Sequence, residues 1–172
     1  GKQAIDGSGA GLIAWSVSRL GLPAGAPVSA APLTKGGSDR FFYRLRWNGH
    51  TYLLMRYLYE RRENLYYAGI GRFLREIGVS VPEIYHHDAE QGFLLMEDLG
   101  DDDLWSCRDA PWEVRQELYE KTLVQIARLH AYPLTAFPRA GVPVMEGFDA
   151  ALYRWEREYF RENFVENVCR VG

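Results

Sequence analysis

The chain has 172 residues, 47% of them hydrophobic and 25% charged, with a formal net charge of −3. This is ordinary globular usage and excludes a disordered chain. Lysine and arginine are scattered rather than clustered, which argues against a nucleic-acid groove or a basic membrane-surface patch. No apolar run approaches the about 20 residues that cross a bilayer, and no signal peptide is visible at the start. The first residue is Gly rather than Met, which points to a processed or engineered N-terminus. Cys107 and Cys169 stand alone, outside any metal-ligand pattern, and suit a reducing, cytoplasmic setting.

In chain order, Leu12, Trp15, Val17 and Leu20 recur at helical spacing, and Gly21 stops the helix. A Gly/Ala/Pro linker leads to an extended stretch, Val28 to Leu33. A glycine-containing loop, Thr34 to Arg40, follows. Next come two strand-like runs, Phe41–Trp47 and His50–Tyr57, around Asn48-Gly49. That dipeptide suits a two-residue type I′ turn, because both turn positions need positive φ. Such a loop fixes the register: Trp47 faces His50, Tyr43 faces Leu54 and Phe41 faces Arg56. Side chains alternate along a strand, so Phe41, Tyr43, Leu45, Trp47, Tyr52, Leu54 and Arg56 share one face, read as the core side. The opposite face, with Arg44, Arg46 and Thr51, reads as the more polar one.

A helix is expected over Glu63–Ile77, with an apolar stripe of Tyr66, Ile70, Phe73, Leu74 and Ile77. Gly78 ends it and Pro82 prevents its resumption. Strands are expected over Val81–His86 and Gly92–Glu97, joined by a turn at 88–91. Beyond Gly100 an acidic run, Asp101 to Asp103, reads as a solvated turn. His86-His87-Asp88 reads as surface, since neighbouring strand residues point to opposite faces. A helix from Pro111 to His130 has Asp109 as its candidate cap, and Asp149 caps a last helix over Ala150–Val168. This order implies an α+β fold. Three parts are expected: a helix and linker over residues 1–27, a lobe of strands over 28–100, and the start of a helical lobe over 101–172.

Four segments carry a more specific likeness. Gly36-Gly37-Ser38-Asp39-Arg40-Phe41-Phe42-Tyr43-Arg44-Leu45, Gly78-Val79-Ser80-Val81-Pro82-Glu83-Ile84, Gly92-Phe93-Leu94-Leu95-Met96-Glu97-Asp98-Leu99-Gly100 and Phe148-Asp149-Ala150-Ala151-Leu152 occur in that order. Together they resemble the aminoglycoside and choline phosphotransferase superfamily, which has a protein-kinase-like fold. Within it, they are most similar to bacterial anomeric kinases of N-acetylmuramate and N-acetylglucosamine. The resemblance implies a nucleotide-binding lobe, ATP and Mg²⁺ as cofactors, and a small-molecule acceptor.

On this resemblance, Gly36, Gly37, Ser38 and Asp39 would approach phosphates with backbone N–H donors, and Lys35 or Arg40 would add charge. An ordinary hairpin loop is the alternative. A kinase needs a cation on its third strand, usually Lys paired to a helix Glu. Here the strand reads Leu54-Met55-Arg56-Tyr57 without Lys, so Arg56 is the expected substitute, against a simple strand-end role. Glu63 is the expected helix partner, because the family's Glu position falls near Tyr67. The Glu97 C=O and Leu99 N–H would take an adenine edge, with Met96 bordering the base. Met96 is also ordinary core. The aromatic last helix could line a sugar site, or simply be helix core.

The family's catalytic pattern, His-x-Asp-x-x-x-x-Asn, is absent from these residues. The chain is therefore expected to be the front part of such an enzyme. No catalytic or metal-binding residue is assigned within it, and its Mg²⁺ ligands lie elsewhere. Alone it is expected to be inactive, with homodimerisation through uncovered helices. The competing readings are a pseudokinase-like nucleotide-binding module and an α+β interaction domain without a nucleotide site.

Overall fold

The computed structural model describes residues 9–33, 40–137, 141–145 and 147–170. Five antiparallel strands form one sheet in the order β1-β2-β3-β5-β4. They are β1 (Ser29–Leu33), β2 (Arg40–Trp47), β3 (His50–Tyr57), β4 (Ile84–Asp88) and β5 (Phe93–Glu97). Four α-helices accompany them: α1 (Ala10–Arg19), α2 (Glu63–Glu76), α3 (Trp112–His130) and α4 (Ala150–Phe160). The α+β class expected from the sequence is the one observed.

The β2–β3 hairpin has the register that its turn dictates, with Trp47 opposite His50 and Phe41 opposite Arg56. Asn48 and Gly49 have φ of 47° and 78°, as a type I′ turn requires. One expectation needs correction: both faces of the hairpin are covered. Leu12 of α1 packs on Leu45, Leu54, Phe93 and Leu95, with Trp15 edge-on to Phe93 at 5.8 Å. On the other face, Ala68 of α2 packs with Met55, Tyr57, Leu94 and Met96. The run Phe93–Met96 is buried throughout because β5 lies between β3 and β4 and has a helix on each side.

Pro82 has no N–H for a ladder, so β4 begins at Ile84 rather than Val81, with a bulge between Ile84 and His86. Gly92 (φ 68°) hands its C=O to the Tyr57 N–H. A Cβ there would stand 2.5 Å from the Tyr57 carbonyl oxygen, so only glycine allows this approach. His87 is half-buried and linked to the Tyr57 hydroxyl at 2.8 Å, so the segment is less superficial than its composition suggests. Burial pushes the Tyr57 phenol up to about 12, helped by Tyr59 and Asp88.

Helix α3 starts at Trp112 with Pro111 as the extended residue just ahead of it, and Asp109 pairs with Arg108 instead of capping. Asp149 does cap α4, accepting from the Leu152 N–H at 2.7 Å. That helix does not run on as α to Val168. It widens into a π-helical segment at Arg161–Glu166, where the Asn163 side chain donates to the Tyr159 carbonyl.

Candidate functional site

Helix α2 lies against the sheet through Asn64, Tyr67, Ala68 and Gly71, positions three and four apart. Gly71 brings the helix close to β4, since a Cβ there would meet the end of the Ile84 side chain at 2.9 Å. The stripe read from sequence is offset from this face. Of its members, Phe73 is buried, but against Tyr132 and Phe137 beyond α3, at 5.1 and 5.5 Å.

Alternation along β2 and β3 sorts the charged residues. Arg40, Arg44, Leu53 and Met55 share the α2 face, whereas Arg56 shares the α1 face with Tyr43 and Leu54. Arg56 and Glu63 are therefore on opposite sides of the sheet and do not meet. The expectation that they pair came from reading the Arg56 face as the one core side, whereas both faces are covered. The β3 position facing α2 belongs to Met55, which is fully buried.

Arg40 lies at the start of β2 on the face covered by α2. Its Nε–H donates to Asn64 Oδ1 at 2.8 Å, and its guanidinium lies 5.3 Å from the centre of the Tyr67 ring. Asn64 is 1% exposed and donates its own Nδ2 to the Leu58 carbonyl at 2.8 Å. The Tyr67 hydroxyl reaches Met96 Sδ at 3.9 Å. Arg40, Glu63, Tyr67, Ile70, Ile84 and Met96 border a cavity of about 290 Å³ between α2 and the β4–β5 edge.

Beside this cavity, the turn after β5 is clasped to β2. Arg44, 7% exposed, donates Nε–H to Asp98 Oδ2 at 2.6 Å, NH2 to Asp98 Oδ1 at 3.0 Å and NH1 to Asp101 Oδ2 at 2.8 Å. Hydrogen bonds to Asp101 and Asp98 hold the guanidinium well above its ordinary pKa despite burial. Burial alone would push the Asp98 carboxyl up. Hydrogen bonds from Arg44, the Gly100 N–H and Thr51 outweigh it and hold the carboxyl below its usual range. Asp101 is thus tied to the sheet while its side chain stays largely solvated, 75% exposed.

Of the residues singled out in the sequence, Arg40, Glu63 and Met96 come together, Glu97 follows Met96 directly and Leu99 stands two residues beyond Glu97. Lys35, Gly36, Gly37, Ser38 and Asp39 lie outside the described residues. Arg44, Asn64 and Tyr67 escaped sequence reasoning. Each leaves a trace: a charged residue alternating with apolar ones on a strand, and polar residues on a helix stripe that must face a sheet.

The helical region touches the sheet region sparingly. The Ser80 N–H donates to Gln125 Oε1 at 2.8 Å, and Arg128 donates to the Gly78 carbonyl at 2.7 Å. Along α4, Trp155 stacks on Tyr159, and Phe160 on Phe164, all largely exposed.

The sequence model of the phosphotransferase enzyme family matches residues 29–167. The N-acetylmuramate/N-acetylglucosamine kinase of Pseudomonas putida is 29% identical over 141 residues, 80% of this chain and 39% of that enzyme. A Ralstonia eutropha structure described as an aminoglycoside phosphotransferase matches with a TM-score of 0.57 at 20% identity. That match covers 89% of this chain and 47% of the other, and at such identity it speaks to the fold. The chain spans less than half the length of either relative.

Proposed function

Since the chain belongs to the phosphotransferase enzyme family, we propose that it forms the nucleotide-binding part of an ATP-dependent small-molecule kinase acting on a sugar hydroxyl. The observation that supports this reading best is the cavity that brings Arg40 and Glu63 beside Met96, one residue before the turn expected to take the adenine edge. In this reading the Glu97 C=O and Leu99 N–H bind the base. The Gly36-Gly37-Ser38-Asp39 segment, directly ahead of Arg40, contributes N–H donors to the phosphates. Mg²⁺ would neutralise those phosphates, with ligands from the His-x-Asp-x-x-x-x-Asn element that these 172 residues lack. The sugar acceptor is suggested by the name of the Pseudomonas putida relative.

Calorimetric titration with ATP and with adenosine, with and without Mg²⁺, tests the proposal. Weak ATP binding that does not need Mg²⁺ is expected, without turnover in a coupled assay with N-acetylated sugars. A folded chain that binds neither ligand would overturn it. Met55 at the α2-facing position of β3 favours one further reading, a nucleotide-binding module that acts through partners. Turnover by a longer form of the protein, carrying the catalytic element, decides against that module.

Among the described residues no helix is long and apolar enough to cross a membrane. A cytoplasmic setting remains part of the proposal, resting on the two unpaired cysteines. So does self-association through the exposed apolar faces of α3 and α4, which light scattering at rising concentration would detect.

A further inference from the structure

We infer that Arg40, held in place by Asn64 and Tyr67, is the cation that grips the nucleotide's phosphates, replacing a strand lysine and helix glutamate with an arginine and two neutral groups. The inference rests on the nucleotide reading above and assigns its phosphate contact.

Three observations carry it. First, three other positions on the hairpin are accounted for. Met55 occupies the α2-facing site of β3 and has no charge, Arg56 faces α1, and Arg44 is fully engaged by Asp98 and Asp101. Second, Arg40 stands at the entry of β2, immediately after the glycine segment, and borders the cavity that reaches Met96. Third, the side chain is fixed. Asn64 is buried, and its amide orientation is set twice: its oxygen accepts from Arg40 and its nitrogen donates to the Leu58 carbonyl. The Tyr67 ring supports the guanidinium from another side.

The chemistry of the holders matters. A carboxylate partner would share the positive charge, whereas an amide and a phenol ring position it without neutralising it. Arginine presents five N–H donors in a planar fork, and Asn64 takes one of them. The fork suits the oxygens of a di- or triphosphate better than a single ammonium does. Tyr67 stands where a helix glutamate was sought, one turn beyond Glu63. Asn64 and Tyr67 are thus positioning residues, and Arg40 is the group that would touch the ligand.

The test is calorimetric titration of the chain with ATP and, separately, with adenosine, for the unaltered protein and for R40Q, R40K, N64A and R40Q/N64A. R40Q should bind ATP about tenfold more weakly, the loss of one charge-assisted contact, with adenosine unchanged. R40K should recover part of the loss. N64A should weaken ATP in the same direction, and the double variant should be no weaker than R40Q, because the amide acts only through the arginine. The salt dependence of ATP affinity should also be shallower for R40Q. R40Q changes a half-buried side chain on the sheet edge of the cavity, so its folding, checked by thermal melting, is not at risk as that of N64A is. ATP affinity equal in R40Q and the unaltered protein overturns this inference while leaving the nucleotide reading standing. An unaltered chain that binds neither ATP nor adenosine overturns both.

Discussion

The sheet region and the helical region that follows it are held together by different means. Between Gly9 and Gly100, a helix on each face seals two apolar clusters, with Leu12, Leu45, Leu54, Met55, Leu94 and Leu95 almost without exposure. Beyond Gly100, α3 and α4 contain no buried residue, and Trp105, Leu123, Leu134 and Phe148 lie largely in the open. The first region carries its own core. The second is attached through the Ser80–Gln125 and Arg128–Gly78 hydrogen bonds and the Phe73–Tyr132–Phe137 aromatic cluster. Stability and the candidate site therefore reside in the same half of the chain.

The comparison can be broken hardest at Leu54. L54A removes a fully buried side chain between α1 and the sheet and should cost about 4 kcal/mol in urea unfolding. A loss under about 1 kcal/mol would mean that the sheet is not the cooperative core. R44A should cost about 3 kcal/mol, because it leaves the Asp98 carboxylate buried without its partner.

Acidification should produce a graded loss in two steps. Burial, then the Arg72 charge, holds the His87 imidazole below its ordinary 6.5, so the unfolded chain takes up the proton first. Stability should then decline as pH falls through about 6.5 towards the folded value. Asp98 is held below 3.8, so its contribution is intact above that value and lost as pH falls through its folded one. Urea melts across this range should show both steps in the unaltered protein and lose the lower one in R44A. At the small end, L123A on exposed α3 should change stability by no more than about 0.5 kcal/mol. A large loss there would show α3 to be part of the core.

Local signals were the legible ones. Asn48-Gly49 set the hairpin register, Asp149 capped its helix, and the interval between Arg62 and Gly78 was helical as its periodicity required. The family likeness read from four short segments agrees with the matched relatives. What the sequence hid was pairing across distance. Arg40 meets Asn64 across 24 residues and Arg44 meets Asp98 across 54, and neither spacing carries a periodic signature. The side of the sheet on which Arg56 stands was hidden for the same reason. A single hairpin shows which residues share a face, but the helix that covers each face is decided elsewhere in the chain. The π-helical turn after α4 was equally hidden, since Arg161–Glu166 is as consistent with α-helix as the residues before it.

One strand carries a mechanical consequence. Arg40 and Arg44 lie on the same face of β2, four residues apart, one anchored to α2 and the other to the turn after β5. At about 3.3 Å per residue the strand sets roughly 13 Å between the two anchor points, and its paired neighbours on both sides keep it from stretching. The strand thus acts as a ruler. Helix α2 at one anchor and the turn after β5 at the other are therefore held at a fixed spacing along β2.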